Sequence, residues 1–183
     1  MEESFSKSLD LSALSDGMPG LTPACGKSLA EAAAVCLEDR EHKPGVSLKL
    51  TGLKKLEHSL NWSAVTDQQR RCYNDLQEAT ERGAYGVAIL VVKEVTGLVV
   101  VERSKKGPGF DYWLGEAEDE ALFNNKARLE VSGILSGSDS DIRSRANQKN
   151  EQIKPSTKLA TGYVAIIEFG TCATSSASAI WSR

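Results

Sequence analysis

The stretch from Gly83 to Ile134 constrains the fold more than any other part of the chain, because candidate elements succeed one another there almost without pause. Gly83-Ala84-Tyr85-Gly86 leads into VAILVVKEVTG. The β-branched residues of that run favour a strand. Its length, Lys93-Glu94 near its end and Gly97 at the C′ position favour a buried helix. Periodicity does not separate two buried elements; the length of the run and the strand candidates directly after it point to helix. Those candidates number three: LVVVERS at 98–104, FDYWLG at 110–115 and KARLEVSGI at 126–134. The last alternates strictly, with Ala127, Leu129 and Val131 on one side and Lys126, Arg128, Glu130 and Ser132 on the other.

The flanking sequence adds fewer and weaker signals. Residues 1–23, rich in Ser, Gly, Pro and Asp, read as a flexible leader. Residues 27–41 place Leu29, Ala33, Cys36 and Leu37 at helical spacing, stopped by Lys43-Pro44-Gly45. Val46, Leu48 and Leu50 alternate, as do Leu56, His58 and Leu60 less cleanly, which predicts a half-buried hairpin. Thr66-Asp67-Gln68-Gln69 fits a capping box ahead of a polar helix to about Arg82. Ser138-Asp139-Ser140-Asp141 opens a second polar helix to about Gln152, ended by Lys154-Pro155. YVAIIEF at 163–169 is apolar on both faces, as a central strand requires. From Gly170 the chain is small and polar and reads as a loose tail. The expected organisation is a leader over 1–23, a helix and hairpin over 24–62, a core over 63–170 and a tail over 171–183.

Composition removes several chemistries. With 183 residues, 40% hydrophobic and a formal charge of -3, the chain suits one globular domain, without a general attraction to phosphate. No apolar run approaches the roughly 20 residues of a membrane span. The polar start Met1-Glu2-Glu3-Ser4 does not read as a secretory signal, so the expected location is cytoplasmic. The four cysteines, Cys25, Cys36, Cys72 and Cys172, include no CxxC pair, and His42 and His58 are the only imidazoles. A zinc site of the usual kind, a disulfide framework and a histidine-based nucleophile system are all poorly supported. The turn SKKGPG lacks the spacing of a P-loop.

What remains is charge placed among apolar residues. Asp111 lies between Phe110 and Tyr112, where a carboxylate is out of place without a partner. A neighbouring strand would bring Glu130 near it, with Trp113 on the same face. Two close carboxylates repel, and a divalent cation is the simplest remedy. Mg²⁺ favours one or two carboxylates plus water and substrate phosphate, an arrangement suited to phosphodiester cleavage. Water alone would equally satisfy a charged strand face. Lys105 and Lys106, with the glycines beside them, suit a phosphate backbone, although an ordinary charged turn is the commoner source of such a sequence. Arg70-Arg71 and Arg143 with Arg145 are further candidates for a basic rim.

The order helix, three strands, helix, strand over 78–169, about half the chain, resembles the core of the PD-(D/E)XK, or restriction-endonuclease-like, superfamily. Gly109-Phe110-Asp111 matches the family's aspartate position, and Leu129-Glu130-Val131-Ser132 matches its ExK strand with Glu130 as the acid. The resemblance implies an α/β fold of order αβββαβ, with α+β as the open alternative, and a Mg²⁺ site on Asp111 and Glu130. A first-helix acid belongs to the pattern; Glu81, closer than Glu78 to the apolar run, is the choice here. Where the family has lysine this chain has Ser132, which cannot supply the charge that helps activate water. Lys126 on the same strand, or Lys149 on the next helix, can replace it. Arg145, Lys149 and Gln152 form one helical stripe, and Lys149 is preferred. The same stripe would also serve as a solvated helix face. The resemblance thus implies a metal-dependent nuclease acting on DNA or RNA, with Asp111, Glu130, Lys149 and Lys126 as catalytic candidates. Lys105, Lys106, Gln152, Arg145 and Trp113 are the substrate-binding candidates. The alternative is a catalytically inactive module of the same fold that binds nucleic acid or a protein partner, or forms a homodimer.

Overall fold

A computed structural model describes residues 7–52, 55–117, 127–156, 158–171 and 176–182, with backbone alone for 171 and 176–182. The protein is mixed α/β. In chain order it comprises β1 (Ser8–Asp10), a 3-10 turn (Leu11–Asp16), α1 (Pro23–Asp39), β2 (Val46–Gly52), β3 (Leu56–Asn61), α2 (Asp67–Cys72) and α3 (Leu76–Thr96). Then come β4 (Val99–Arg103), β5 (Tyr112–Gly115), β6 (Ala127–Ile134), α4 (Asp139–Ile153), a short 3-10 turn (Lys154–Ser156), β7 (Thr161–Thr171) and β8 (Ser176–Ser182). The strands form one sheet in the order β1-β3-β2-β8-β7-β6-β5-β4. β4, β5 and β6 form an antiparallel succession, and β7 returns parallel to β6 after α4. No helix among the described residues is long and apolar enough to cross a membrane.

The ambiguous run is helical. α3 continues unbroken from Leu76 to Thr96 and stops at Gly97, whose φ of 75° is the left-handed cap that favours glycine. The polar helix that precedes it is separate. Thr66 and Gln69 close the expected capping box of α2, but that helix ends at Cys72, and Asp75 caps a new one by accepting from the Gln77 and Glu78 backbone N–H groups. α1 lies against α3, close enough that a Cβ on Gly83 would sit 2.8 Å from the Ala33 backbone.

Alternation along β6 and β7 divides the interior into two cores. Ala127, Leu129, Val131, Ala165, Ile167 and Phe169 join the core beneath α1 and α3. Val164 and Ile166 face Ile142, Ala146 and Ile153 of α4 in the smaller core. β7 is thus covered on both faces, as its unbroken apolar run predicts. The polar row of β6 points towards α4 but is not a solvated face: Arg128, Glu130 and Ser132 are all buried. Arg128 is spent on structure. Its guanidinium donates to the Ala160 carbonyl at 2.9 Å, to the Ile153 carbonyl at 3.0 Å and to the Ser156 hydroxyl, and it packs over the Phe110 ring. It therefore ties the α4–β7 connection to the sheet.

Two parts of the expected organisation are corrected. The supposed leader is built into the fold from residue 7 onward: β1 pairs with β3, and Leu9, Leu11, Leu14 and Leu21 are buried. Burial of those four side chains offsets the ordering cost that its Ser- and Gly-rich composition suggested would go uncompensated. The supposed loose tail contains β8, an interior strand paired antiparallel to β7 and parallel to β2. It thereby joins the predicted hairpin, β2 and β3, to the rest of the sheet.

Candidate functional site

β5 begins at Tyr112, opposite Leu129, and the chain just before it turns away from β6. Asp111 still donates its backbone N–H to the Leu129 carbonyl at 2.8 Å. Its carboxylate then accepts the Val131 N–H at 2.8 Å, the bond that a longer β5 would have taken with its backbone. Asp111 is held at the mouth of the sheet in this way. Gly109 makes the approach possible: its φ is 81°, and a Cβ there would lie 2.7 Å from the Gln152 carbonyl oxygen.

Beside it, Glu130 is 3% exposed. Lys149 reaches it from α4, Nζ to Oε1 at 2.6 Å, and Gln152 donates to the same oxygen at 3.0 Å. Lys149 also donates to the Gln152 side-chain oxygen at 3.2 Å, so the two residues brace each other. One turn before Lys149, Arg145 donates to the Ser132 hydroxyl at 3.0 Å. The stripe expected on α4 therefore faces the site, with Lys149 on the acid of β6. Asp111 and Glu130 line one cleft of about 570 Å³, together with Glu81, Lys105, Lys106, Arg145, Lys149 and Gln152.

The acids affect one another. Burial, then the charge of Asp111, push the Glu130 carboxyl up to about 7, against the opposing pull of the Lys149 ammonium. The folded chain therefore holds a proton on Glu130 across a range, from the ordinary value of 4.5 to about 7, in which the unfolded chain has lost it. More protons bound in the folded state means that stability falls as pH rises through that window. The expected difference in unfolding free energy between pH 5 and pH 8.5 is on the order of 2 kcal/mol. Denaturant melts of Glu130→Gln should lack this contribution, leaving a flatter pH profile than the wild-type chain.

Two further residues complete the site, and the sequence reading did not select them. Tyr85, one turn after Glu81 on α3, donates its hydroxyl to Asp111 Oδ1 at 2.9 Å. Arg103, at the end of β4, donates to the same oxygen at 3.3 Å and to the Tyr85 hydroxyl at 3.2 Å. A bulge in β4 between Val100 and Glu102 sets Arg103 opposite Tyr112. The guanidinium fills the corner between the edge-to-face rings of Tyr85 and Tyr112, 4.6 and 4.5 Å from their centroids. The available sequence signals were the i, i+4 spacing of Glu81 and Tyr85, and an arginine closing an apolar strand just before a Gly-rich turn.

Other expected residues take different places. Glu81 is exposed and lines the cleft, but it does not join the two acids as a third metal ligand: no group of three metal-binding side chains occurs among the described residues. Trp113 is not among the cleft-lining residues; it pairs with Arg128 across the ladder and packs edge-on against Phe110 at 4.8 Å beside the smaller core. Lys105 and Lys106 are exposed on the cleft's outer wall. Lys126 lies outside the described residues.

The donor set suits a hard divalent cation with few protein ligands. Two carboxylates from adjacent segments face one polar cleft, and the Glu130 value is raised first by burial and then by the charge of Asp111. Two acids leave coordination positions for water and phosphate, which is how Mg²⁺ is usually held. No family model, no curated protein and no solved structure matches this chain.

Proposed function

We propose that the cleft is the active site of a Mg²⁺-dependent nuclease, built on a restriction-endonuclease-like core running from α3 to β7. The observation that carries this reading is the lysine beside the paired acids: Lys149 Nζ lies 2.6 Å from Glu130 Oε1. An ammonium from α4 makes good the charge that Ser132 cannot provide. The succession of helix, three strands, helix and strand adds support.

In this reading Asp111 and Glu130 hold the metal. The chemistry that a bound ion would supply there is polarisation of a phosphoryl oxygen and activation of a water. Gln152 fixes the rotamer of Glu130 through its 3.0 Å hydrogen bond. Lys149 opposes the rise in the Glu130 value that burial and Asp111 cause, and offsets negative charge that builds on the phosphate. Lys105 and Lys106 attract the nucleic-acid backbone, and the glycines between them and Asp111 let it come close. A buried Glu130 needs a partner in either reading, so a measurement of cleavage separates the two.

The test is cleavage of single- and double-stranded DNA and RNA by the purified chain. Strand scission is expected with Mg²⁺ or Mn²⁺ and should stop on chelation. Binding without scission, under all metals and substrates tried, would favour the inactive module.

A further inference from the structure

Each acid of the site already has a cation, and the two pairs are built differently. Lys149 meets Glu130 at 2.6 Å, with the lysine side chain 20% exposed and the acid 3%. Arg103 meets Asp111 at 3.3 Å, with side chains 49% and 16% exposed. The second distance is long for a charge-assisted hydrogen bond, which usually spans about 2.7–2.9 Å. What holds Arg103 is chiefly its seat against the Tyr85 and Tyr112 rings and its bond to the Tyr85 hydroxyl. A guanidinium seated on aromatic faces keeps its in-plane N–H donors available and can exchange one acceptor for another without leaving the seat.

A cation held by Asp111 would compete for this carboxylate with the partners it already has. Oδ1 accepts from Tyr85 and Arg103, while Oδ2 is committed to the Val131 N–H. A dication and a guanidinium on one carboxylate oxygen repel, so the two exclude each other there.

We infer that Arg103 is the resident counter-cation of Asp111 and a phosphate-binding residue in waiting: it gives up the carboxylate when a divalent cation binds and, still seated on the two tyrosine rings, turns its donors to a nucleic-acid phosphate. This inference rests on the nuclease reading of the cleft. It makes metal and nucleic-acid binding mutually reinforcing, because the ion frees the arginine that the phosphate needs. Arg103 and its neighbours Lys105 and Lys106 then form one continuous cationic wall along the cleft.

The test measures binding rather than turnover. Mn²⁺ is titrated calorimetrically into the full chain without nucleic acid, for the wild type, Arg103→Gln, Arg103→Lys and Asp111→Asn. Removing the resident charge in Arg103→Gln should tighten Mn²⁺ binding about fivefold to tenfold. Arg103→Lys, which keeps the charge, should stay within about twofold of wild type. A labelled oligonucleotide, monitored by fluorescence anisotropy with and without Ca²⁺, should gain affinity on adding the ion in the wild type. That gain should shrink about tenfold in Arg103→Gln. Arg103 is half exposed, and a thermal melt of each variant verifies that the fold is kept. Equal Mn²⁺ affinity in Arg103→Gln and wild type, with binding lost in Asp111→Asn, overturns the exchange while leaving the metal site standing. Absence of Mn²⁺ binding in the wild type instead removes the nuclease reading itself.

Discussion

Asp111→Asn should abolish metal-dependent cleavage, lowering the rate by about a thousandfold or more, while the chain remains folded. The substitution preserves shape, and the amide oxygen can still accept the Val131 N–H. Its NH₂ group, however, is directed at Tyr85 and Arg103, which have lost an anion to bind. The stability cost is that of a weakened, part-buried network, about 1–2 kcal/mol. Loss of the anion also removes one of the two pressures on Glu130, whose raised value then reflects burial alone against the Lys149 ammonium. Cleavage rates under saturating Mg²⁺ and a denaturant melt of the same preparation check both halves of the prediction. Cleavage retained at the wild-type rate would place the chemistry elsewhere in the molecule.

Lys149→Met has a different signature. The variant leaves Glu130 buried with Gln152 as its remaining partner at Oε1. The ammonium is the principal influence lowering the Glu130 value, so without it the carboxyl stays protonated to higher pH. A protonated carboxyl is a poor metal ligand. Cleavage near neutral pH is expected to drop about a hundredfold, and the surviving activity should require more alkaline conditions than the wild type. Stability should separate along the same axis. At pH 6 the neutral carboxyl tolerates burial and the cost is small, whereas at pH 8.5 the variant must either retain a proton that solution no longer favours or bury an unpaired charge, at a cost of about 2 kcal/mol. A lysine with only a packing role would lower stability evenly across pH and leave the position of the rate profile unchanged. The pH–rate profile thus distinguishes the two roles.

The segments that position the site were legible because their local signals agree with their final surroundings. The strict alternation of β6 assigned Glu130 and Ser132 to one side and Leu129 and Val131 to the other, and the two cores are divided accordingly. Ser138 and Asp141 form the capping box that starts α4, which sets the rotation of the helix and carries Arg145, Lys149 and Gln152 towards the cleft together. Arg103 was hidden because its orientation depends on a bulge, and an extra residue in one strand leaves no mark on a period-two pattern. Trp113 was misplaced for a related reason: alternation gives a side, but not the position along the strand at which the cleft ends. The leucines of the first 21 residues obey neither strand nor helix spacing, since they fill gaps offered by α1, α3 and β3 rather than forming a stripe of their own. β8 is mostly Ser and Ala, with only Ile180 and Trp181 favouring a strand, and its neighbours on both sides supply the order that the rest of its composition does not.

The seam between β2 and β8 also bears on how the molecule is assembled during synthesis. β2 leaves the ribosome long before residues 176–182 do, so its inner hydrogen-bonding edge stays open until they emerge. Contacts between residues so distant in sequence form late and slowly. An open edge in a nascent chain invites pairing with other strands. The alternating Ser47, Lys49 and Thr51 of β2 give that waiting edge a polar, charged character that discourages such encounters until its proper neighbour arrives.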